Sequence, residues 1–328
     1  MQSLSAVIPA YQASRVLPAC LDALAASNVQ PQEVIVVDDG PSTDDTAAIA
    51  RGRGARVISM TRQLGPGGAR NAGVAAAGGD LILFVDSDVC VRPDAVGKLV
   101  AVFADQHDIA AAFGSYDTSP PASNFTSQYK NLLHHYVHQQ GREDAQTFWA
   151  GLGAVRRSAF EAVGGFDAQR YGRPSIEDIE LGYRLLAAGG RVRLVKSAQG
   201  THLKRWTLSG MLRTDVFDRA IPWTELILSS GRMPDDLNLG WRHRLGVASV
   251  GLALAAAVGA LFAPQLWIFV LLMLAVAAGA GSDAIAFFAR ERGILFALRA
   301  IPLHLAYFAA SGFAFAVGLL RHGKRRLS

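Results

Sequence analysis

At 328 residues, 51% of them hydrophobic, the chain is long enough for one large domain and a second region beside it. Its formal charge of +5 sits largely beside apolar segments near the C-terminus, so anionic lipid headgroups account for it and nucleic acid is set aside. Two cysteines, Cys20 and Cys90, show no metal or redox spacing, which excludes a thiolate site and points to a reducing compartment.

Residues 6–9 form a short apolar run ending at Pro9-Ala10-Tyr11, and Leu17, Leu21 and Leu24 then recur at helical spacing to about Ser27. The plan repeats. Residues 33–37 are apolar and β-branched, Asp38-Asp39-Gly40-Pro41 is turn chemistry, and Ser42 with Asp45 resembles a capping box opening a helix to about Arg51. A third strand spans 55–60, and Gly65-Pro66-Gly67-Gly68 leads into a small-residue helix over 69–77. These glycines are not a dinucleotide fingerprint, because Arg70 stands where the third glycine belongs and the loop is not in the first strand-to-helix turn. In the first turn of its helix, Arg70 either favours an anion or pairs with a carboxylate at the sheet edge.

Residues 81–88 read Leu-Ile-Leu-Phe-Val-Asp-Ser-Asp. An apolar run bounded by Gly78-Gly79-Asp80 and Arg92-Pro93 predicts a strand buried on both faces. Asp86 and Asp88 emerge at its carboxyl end, the edge where α/β sheets place ligands. Two carboxylates at that spacing suit one divalent hard cation that keeps positions free for a diphosphate. The plain alternative is a solvated turn that caps the helix starting near Pro93. A helix over 94–104 and a strand over 109–116 follow, and the alternation implies an α/β fold with a mostly parallel sheet.

After residue 116 the period breaks. His134, His135 and His138 crowd with Tyr129 and Tyr136 on a predicted helix that lacks an HExxH-type companion acid. An amphipathic helix over an acceptor groove is therefore favoured over a metal site. Residues 148–154 return to a strand in which Gly151 and Gly153 mark a close backbone approach. A helix over 158–163, the turn Gly164-Gly165-Phe166-Asp167 and a helix opened by Glu177 and Asp178 come next. Acids in a first turn suit the helix dipole, which by itself explains that pair. A strand over 192–195 leads to Thr201-His202-Leu203-Lys204-Arg205-Trp206.

The expected domains are 1–206, an amphipathic interfacial segment 207–244 and a membrane domain 245–328. Residues 245–282 carry no charge, and a hairpin of 245–263 and 266–289 matches a bilayer core of about 30 Å at roughly 1.5 Å per residue. A third apolar segment, 301–320, contains His304. Arg242, His243 and Arg244 before the hairpin, with Arg290 and Arg292 after it, place both its ends in the cytoplasm by the positive-inside rule. Lys324, Arg325 and Arg326 leave two options. Either 301–320 spans and the tail lies outside, or that segment is re-entrant or interfacial and the tail stays inside. Segments 208–227 and 287–299 read as interfacial. Met1-Gln2-Ser3-Leu4-Ser5 lacks the charged start and apolar core of a signal peptide. The expectation is a multi-pass protein of the inner (cytoplasmic) membrane with its soluble part in the cytoplasm.

Taken together, six motifs in order over about residues 4–205 resemble family 2 glycosyltransferases of the GT-A fold. They are Val7-Ile8-Pro9-Ala10-Tyr11, Val36-Val37-Asp38-Asp39-Gly40, Gly68-Ala69-Arg70-Asn71, Asp86-Ser87-Asp88, Gly164-Gly165-Phe166-Asp167 and Glu177-Asp178. The resemblance implies a nucleotide-diphosphate sugar donor, a divalent metal (Mn2+ or Mg2+) and inversion at the anomeric carbon, with a lipid-linked or glycan acceptor. It implies that Pro9, Ala10 and Tyr11 line the nucleotide pocket, with Asp38 and Asp39 on base or ribose and Arg70 at the nucleotide end. Asp86 and Ser87 fall on the ribose or sugar side, and Gly151 falls near the donor sugar. Asp88, with Asp86 and His202, falls at the metal, while Asp178 in the Glu177-Asp178 pair matches the catalytic base.

Arg205 and Trp206, on the acceptor or diphosphate side, echo the Gln-x-x-Arg-Trp motif of processive synthases. His202 stands in place of its Gln, and the short spacing from Asp178 speaks against processivity. The base pair tilts the acceptor toward a hydroxyl. Transfer to a polyprenyl phosphate, and a non-catalytic nucleotide-sugar-binding membrane protein, are the alternatives. A nucleotidyltransferase would carry a glycine- and lysine-rich loop after the first strand, which 9–14 lacks.

Overall fold

The computed structural model describes residues 2–104 and 106–327, with side chains described to residue 323. The readings of Met1 and of the side chains of Lys324, Arg325 and Arg326 lie outside the described residues. The chain divides into two compact units, Met1–Arg205 and Trp206–Ser328.

The first unit runs β1 (Leu4–Ala10), α1 (Leu17–Ala25), β2 (Glu33–Asp38), α2 (Thr46–Gly52), β3 (Arg56–Ser59), α3 (Gly65–Ala76), β4 (Leu81–Val85) and β5 (Val89–Val91). It continues with α4 (Ala95–Ala101), β6 (Ile109–Tyr116), α5 (Phe125–Gln140), β7 (Asp144–Ala145), β8 (Leu152–Arg156), α6 (Arg157–Ala162), α7 (Glu177–Ala187) and β9 (Arg191–His202). Among the described residues these strands make one nine-stranded sheet in the order β3-β2-β1-β4-β8-β6-β9-β5, with β7 on β9. The first four are parallel, β8 is antiparallel to β4 and β6, and β9 runs parallel to β6 but antiparallel to β5. The sheet is mixed, and its parallel half carries the predicted alternation.

Strands β1 and β4 are buried at every position, which is why they read as unbroken apolar runs. Helix α1 lays Leu17, Cys20, Leu21 and Leu24 on the same core, each leucine contributing about 1.5–3 kcal/mol on burial. Helix α3 lies directly on the sheet. A Cβ at Gly73 would overlap Val7 Cγ1 and fall 3.2 Å from Val37 Cγ2, so the small residues of this helix let its backbone touch the strands.

Three local expectations change. Strands β5 and β7 are three and two residues long, too short to show a period. The strand expected over 192–195 extends to 12 residues, its polar middle hidden from a hydropathy reading. At α2 the cap residue Asp45 makes no side-chain cap bond; Asp44 before it accepts from Thr46 N at 3.1 Å and Thr46 Oγ1 at 2.5 Å, while the Ser42 hydroxyl donates to Asp38 Oδ1 at 2.5 Å.

In the second unit α8 (Leu208–Arg213), a π-helical stretch (Thr214–Ala220) and α9 (Ile221–Ser230) follow one another without a break. Then come α10 (Trp241–Gly259), α11 (Leu266–Ala280), α12 (Ser282–Arg292) and α13 (Ile294–Leu327). Among the described residues one helix, Ile294–Gly323, is long and apolar enough to cross a membrane. Helices α11 and α12 qualify only as a pair and are bent by 57°. These helices do not by themselves support the multi-pass expectation. Helix α10 opens with Arg242, His243 and Arg244, leaving roughly 15 uncharged residues, a length of ~22 Å.

Candidate active site

The carboxyl ends of β1, β2, β4, β6 and β9 and the amino end of β8 share one edge of the sheet. Asp86 and Asp88 leave β4 there, but the fold separates their tasks. Asp86 Oδ1 accepts from Arg70 Nη2 at 2.6 Å, and the same guanidinium donates through Nη1 to Glu177 Oε1 at 3.0 Å. Arg70 is 3% exposed and Glu177 5%, and Glu177 Oε2 also accepts from Ser175 N at 2.9 Å. The Arg70 guanidinium lies over the Phe166 ring at 5.4 Å. A buried clamp thus joins α3, the end of β4 and the start of α7.

This arrangement bears on three expectations. Arg70 pairs with two carboxylates, as the second of the two readings open to it has it. Glu177 is committed to that cation and to a backbone amide, so it is not placed as a base. Asp86, held by Arg70, does not join Asp88 and His202 in one ligand set; among the described residues no group of three His, Cys, Asp or Glu is gathered for a metal.

Asp88 pairs instead with His202, whose Nε2 lies 3.3 Å from Asp88 Oδ2. His202 Nδ1 is 2.7 Å from Asn131 Oδ1, and Asn131 Nδ2 donates to Ser127 O at 3.0 Å. The second bond fixes which end of the amide faces the imidazole. His202 Nδ1 therefore carries the hydrogen, and in the neutral ring Nε2 turns a lone pair toward a carboxylate. Such a pair repels unless a proton or a cation lies between. The donor set, a carboxylate oxygen and an imidazole nitrogen, would fit one divalent ion that keeps its other positions for oxygen ligands. Burial raises the Asp88 carboxyl, yet with a proton on Nε2 the hydrogen bond and charge of His202, with Lys204, hold it below the ordinary value.

Asp178, beside Glu177, meets a different fate. Its Oδ2 accepts from Ala150 N at 3.1 Å and its Oδ1 from Ile179 N at 2.8 Å. Burial first, and then the charge of Glu177, push its carboxyl up to about 6 despite Arg70 and the two amide bonds. One acid of the pair is structural and the other is poised to exchange a proton near neutral pH.

Aromatic rings close the circuit. Trp149, next to Ala150, meets Tyr116 edge-on at 4.8 Å, and Tyr116 stacks on His202 at 4.2 Å and 6°. Gly151 O accepts from Asp86 N at 3.0 Å. Asp86, Asp88, Asp178 and His202 thus belong to one contiguous set of contacts. The close approach at Gly151 is to the indole, since a Cβ there would overlap Trp149 Cζ2 and lie 2.6 Å from Cε2. His134 and His138 pack on Trp149 at 5.0 and 5.2 Å, and the Nδ1 atoms of His135 and His138 face Tyr116 O and Gly114 O at 2.6 and 3.1 Å. These histidines wall the site.

At the β1–β2 side, Pro9 and Ala10 end β1 and Tyr11 is 46% exposed beyond it. Asp39 N donates to Ala10 O at 2.8 Å, and Asp39 Oδ1 accepts from Leu64 N at 2.8 Å. Burial raises the Asp39 carboxyl. Ser87 is half-buried in the turn between the two β4 acids. Arg205 is exposed at the end of the first unit, and Trp206 is buried in the second. Asn131, Tyr116 and Trp149 escape sequence reasoning. The one signal is Asn131 itself, a polar residue beside Leu132 and Leu133 that needs a partner once buried.

Residues 5–164 match the family model described as glycosyl transferase family 2. That stretch is a glycosyl transferase family 2 domain. An O-antigen chain rhamnosyltransferase of Salmonella typhimurium is 27% identical to this glycosyltransferase over 68% of this chain and 74% of that protein. An undecaprenyl-phosphate 4-deoxy-4-formamido-L-arabinose transferase of Serratia proteamaculans is 29% identical over 50% of this chain and 52% of that protein, so the chain spans about half the length of that relative. A mannosyltransferase from Pyrobaculum calidifontis, solved in complex with GDP-Man and Mn2+, superposes with a TM-score of 0.59 at 19% identity, over 96% of this chain and 87% of that one. At that identity the likeness is one of fold, a GT-A-like mixed α/β sheet.

Proposed function

We propose that this glycosyltransferase moves a sugar, with inversion, from a nucleotide-diphosphate sugar to a hydroxyl of a lipid-linked or glycan acceptor at the cytoplasmic membrane face. The chemistry is assigned to residues 1–206, with 207–244 interfacial and 245–328 the membrane domain. The observation that carries the reading is Asp178, a carboxylate held by the amides of Ala150 and Ile179 beside the Arg70–Glu177 pair, with burial pushing its carboxyl up to about 6. Largely ionised at pH 7, it is still basic enough to draw a proton from an attacking hydroxyl. Its neighbour Glu177 is committed to Arg70 and cannot serve as a nucleophile, which favours a single displacement. Asp88 and His202 would hold the divalent ion, Mn2+ or Mg2+, which when bound offsets charge on the departing diphosphate. Asp39, just past the end of β2 beside Ala10, would accept hydrogen bonds from base or ribose.

The relatives lend support. One solved structure of this fold carries GDP-Man and Mn2+, and one relative is named for transfer to undecaprenyl phosphate. That name favours a second reading, a polyprenyl phosphate acceptor. Such an acceptor is already an anion and needs no base, so Asp178 separates the two. The test is transfer from UDP-, GDP- and dTDP-sugars with Mn2+ or Mg2+ to hydroxyl and polyprenyl phosphate acceptors, by the parent chain and Asp178→Asn. Loss of hydroxyl transfer in the variant is expected. Transfer by the parent to polyprenyl phosphate alone, undiminished in Asp178→Asn, would overturn the base.

A further inference from the structure

Helices α10 and α11 form a hairpin; the stretch joining them exposes Leu261 at 75% and Phe262 at 88%, and the first turn of α11 exposes Ile268 at 75%. The base of the hairpin is charged. Arg242 Nη1 lies 2.6 Å from Asp283 Oδ2 and Arg242 Nη2 donates to Gly279 O at 3.1 Å, tying the start of α10 to the end of α11. From that base to the end of α10 is ~22 Å of uncharged helix, against about 30 Å for a hydrocarbon core. A turn emerging on the far side would meet headgroups and water. This one carries no charge and is broken only by Pro264 and Gln265.

Helix α13 is long enough to span by itself, but its neighbours argue against that. Ala314 packs with Val216 and Ile221, and a Cβ at Gly318 would fall 2.6 Å from Thr224 Cγ2. Arg321 lies 3.9 Å from Glu225. The stretch so engaged carries Asp215, Asp218, Arg219 and Glu225, and Asp215 and Arg219 are close enough for their charges to act on the Tyr307 hydroxyl. Charges at the middle of a bilayer are costly. A spanning α13 would draw this acid- and base-bearing helix into the hydrocarbon alongside it.

We propose that the second unit enters a single leaflet. The α10–α11 hairpin dips into the hydrocarbon as a re-entrant wedge with Leu261 and Phe262 at its tip, while α13 lies in the interface with α8 and α9. The partner is one leaflet, with hydrocarbon around the tip and anionic headgroup phosphates for Arg213 and Arg219. Both ends of the unit then stay on one face, and the basic tail obeys the positive-inside rule.

The test uses the full chain in host inner-membrane vesicles of both orientations, with a membrane-impermeant polyethylene-glycol maleimide that adds a countable mass to each thiol. Cys20 and Cys90 of the parent chain set the baseline. Asp22→Cys reports an exposed site of the first unit, Gly323→Cys the end of α13, and Phe262→Cys and Leu261→Cys the tip. Asp22→Cys and Gly323→Cys are expected to gain the mass from the same face. The tip cysteines are expected to stay silent from both faces and to react once detergent is added. Tip or Gly323→Cys labelling from the face opposite Asp22→Cys overturns the proposal, because an element then spans. Tip labelling without detergent from the Asp22→Cys face overturns it as well, because the hairpin then stays outside. A spin label at the tip gives depth independently, and a headgroup depth has the same consequence. None of these readouts depends on donor, acceptor or turnover, so failure here leaves the proposed reaction standing.

Discussion

His202 turns its Nε2 toward Asp88 Oδ2 across 3.3 Å. The orientation rests on Asn131, whose Oδ1 holds the opposite ring nitrogen at 2.7 Å, as residues behind a metal ligand commonly do. Asn131→Ala leaves the ring stacked on Tyr116 but frees the choice of tautomer. It is expected to weaken Mn2+ binding about 10- to 100-fold, read by calorimetric titration in the presence of nucleoside diphosphate. Asn131→Asp offers the same acceptor and should retain most of the affinity. Parent-like affinity in the alanine variant would mean that stacking alone orients the ring.

Asp178 sets a pH dependence of unusual sign. Its carboxyl stands at about 6 in the folded protein, against about 3.9 in an unfolded chain. Between those values the folded state binds more protons, so the contribution to stability is present at low pH and is lost as pH rises through about 6. A shift of that size corresponds to at most roughly 3 kcal/mol. Asp178→Asn is therefore expected to raise the unfolding free energy by about 1–3 kcal/mol at pH 8 and to change it little at pH 4, as urea melts would record. Turnover moves the other way. A base must be deprotonated, so kcat/KM should fall below about pH 6, and the variant should lose at least about 100-fold in turnover with donor affinity kept. An inactive variant that is no more stable at pH 8 would count against the raised carboxyl.

The parts legible in the sequence are those that a local pattern can encode. Strands β1 and β4 are visible because burial on both faces demands apolar residues throughout, and the acids at 86, 88 and 178 stand out by type and spacing. Which acid each cation takes is not local. Arg70 lies 16 residues from Asp86 and 107 from Glu177, and only the crossing of α3, β4 and α7 brings all three to one guanidinium. Asn131 reaches His202 over 71 residues in the same way. In the second unit the charge-free run is plain from composition, but hydropathy sees neither the 57° bend after α11 nor the charged helix beside α13.

The Arg70 clamp should be costly to open. Arg70→Met leaves Glu177 buried without a counter-charge and Asp86 unsupported, and the loss expected in urea unfolding at pH 7 is about 3–5 kcal/mol. Arg70→Lys should recover less than half of that, since a point charge cannot fork between two carboxylates. Replacing Glu177 with Gln in the Arg70→Met background removes the stranded charge and should return part of the stability, so the double-mutant cycle reports the coupling directly. A loss in Arg70→Met below about 1 kcal/mol would show that water reaches the pair and that the clamp is not a buried one.

Gly151 and Trp149 make a steric prediction that separates two explanations for a glycine beside the chemistry. If the indole fills the space, Gly151→Ala must displace the ring, which packs on Tyr116 at 4.8 Å and on His134 at 5.0 Å, at a cost of about 1–3 kcal/mol for overpacking. In a Trp149→Phe background the smaller ring leaves room, and the same alanine should cost less than half as much. If the glycine instead serves a donor sugar, the substitution leaves stability nearly unchanged in both backgrounds and raises the KM for donor. Thermal melts and donor titrations on the four proteins of the cycle distinguish these outcomes. Activity alone does not, because Ala150 N holds Asp178 from the same loop, and any shift of the indole reaches the proposed base through that hydrogen bond.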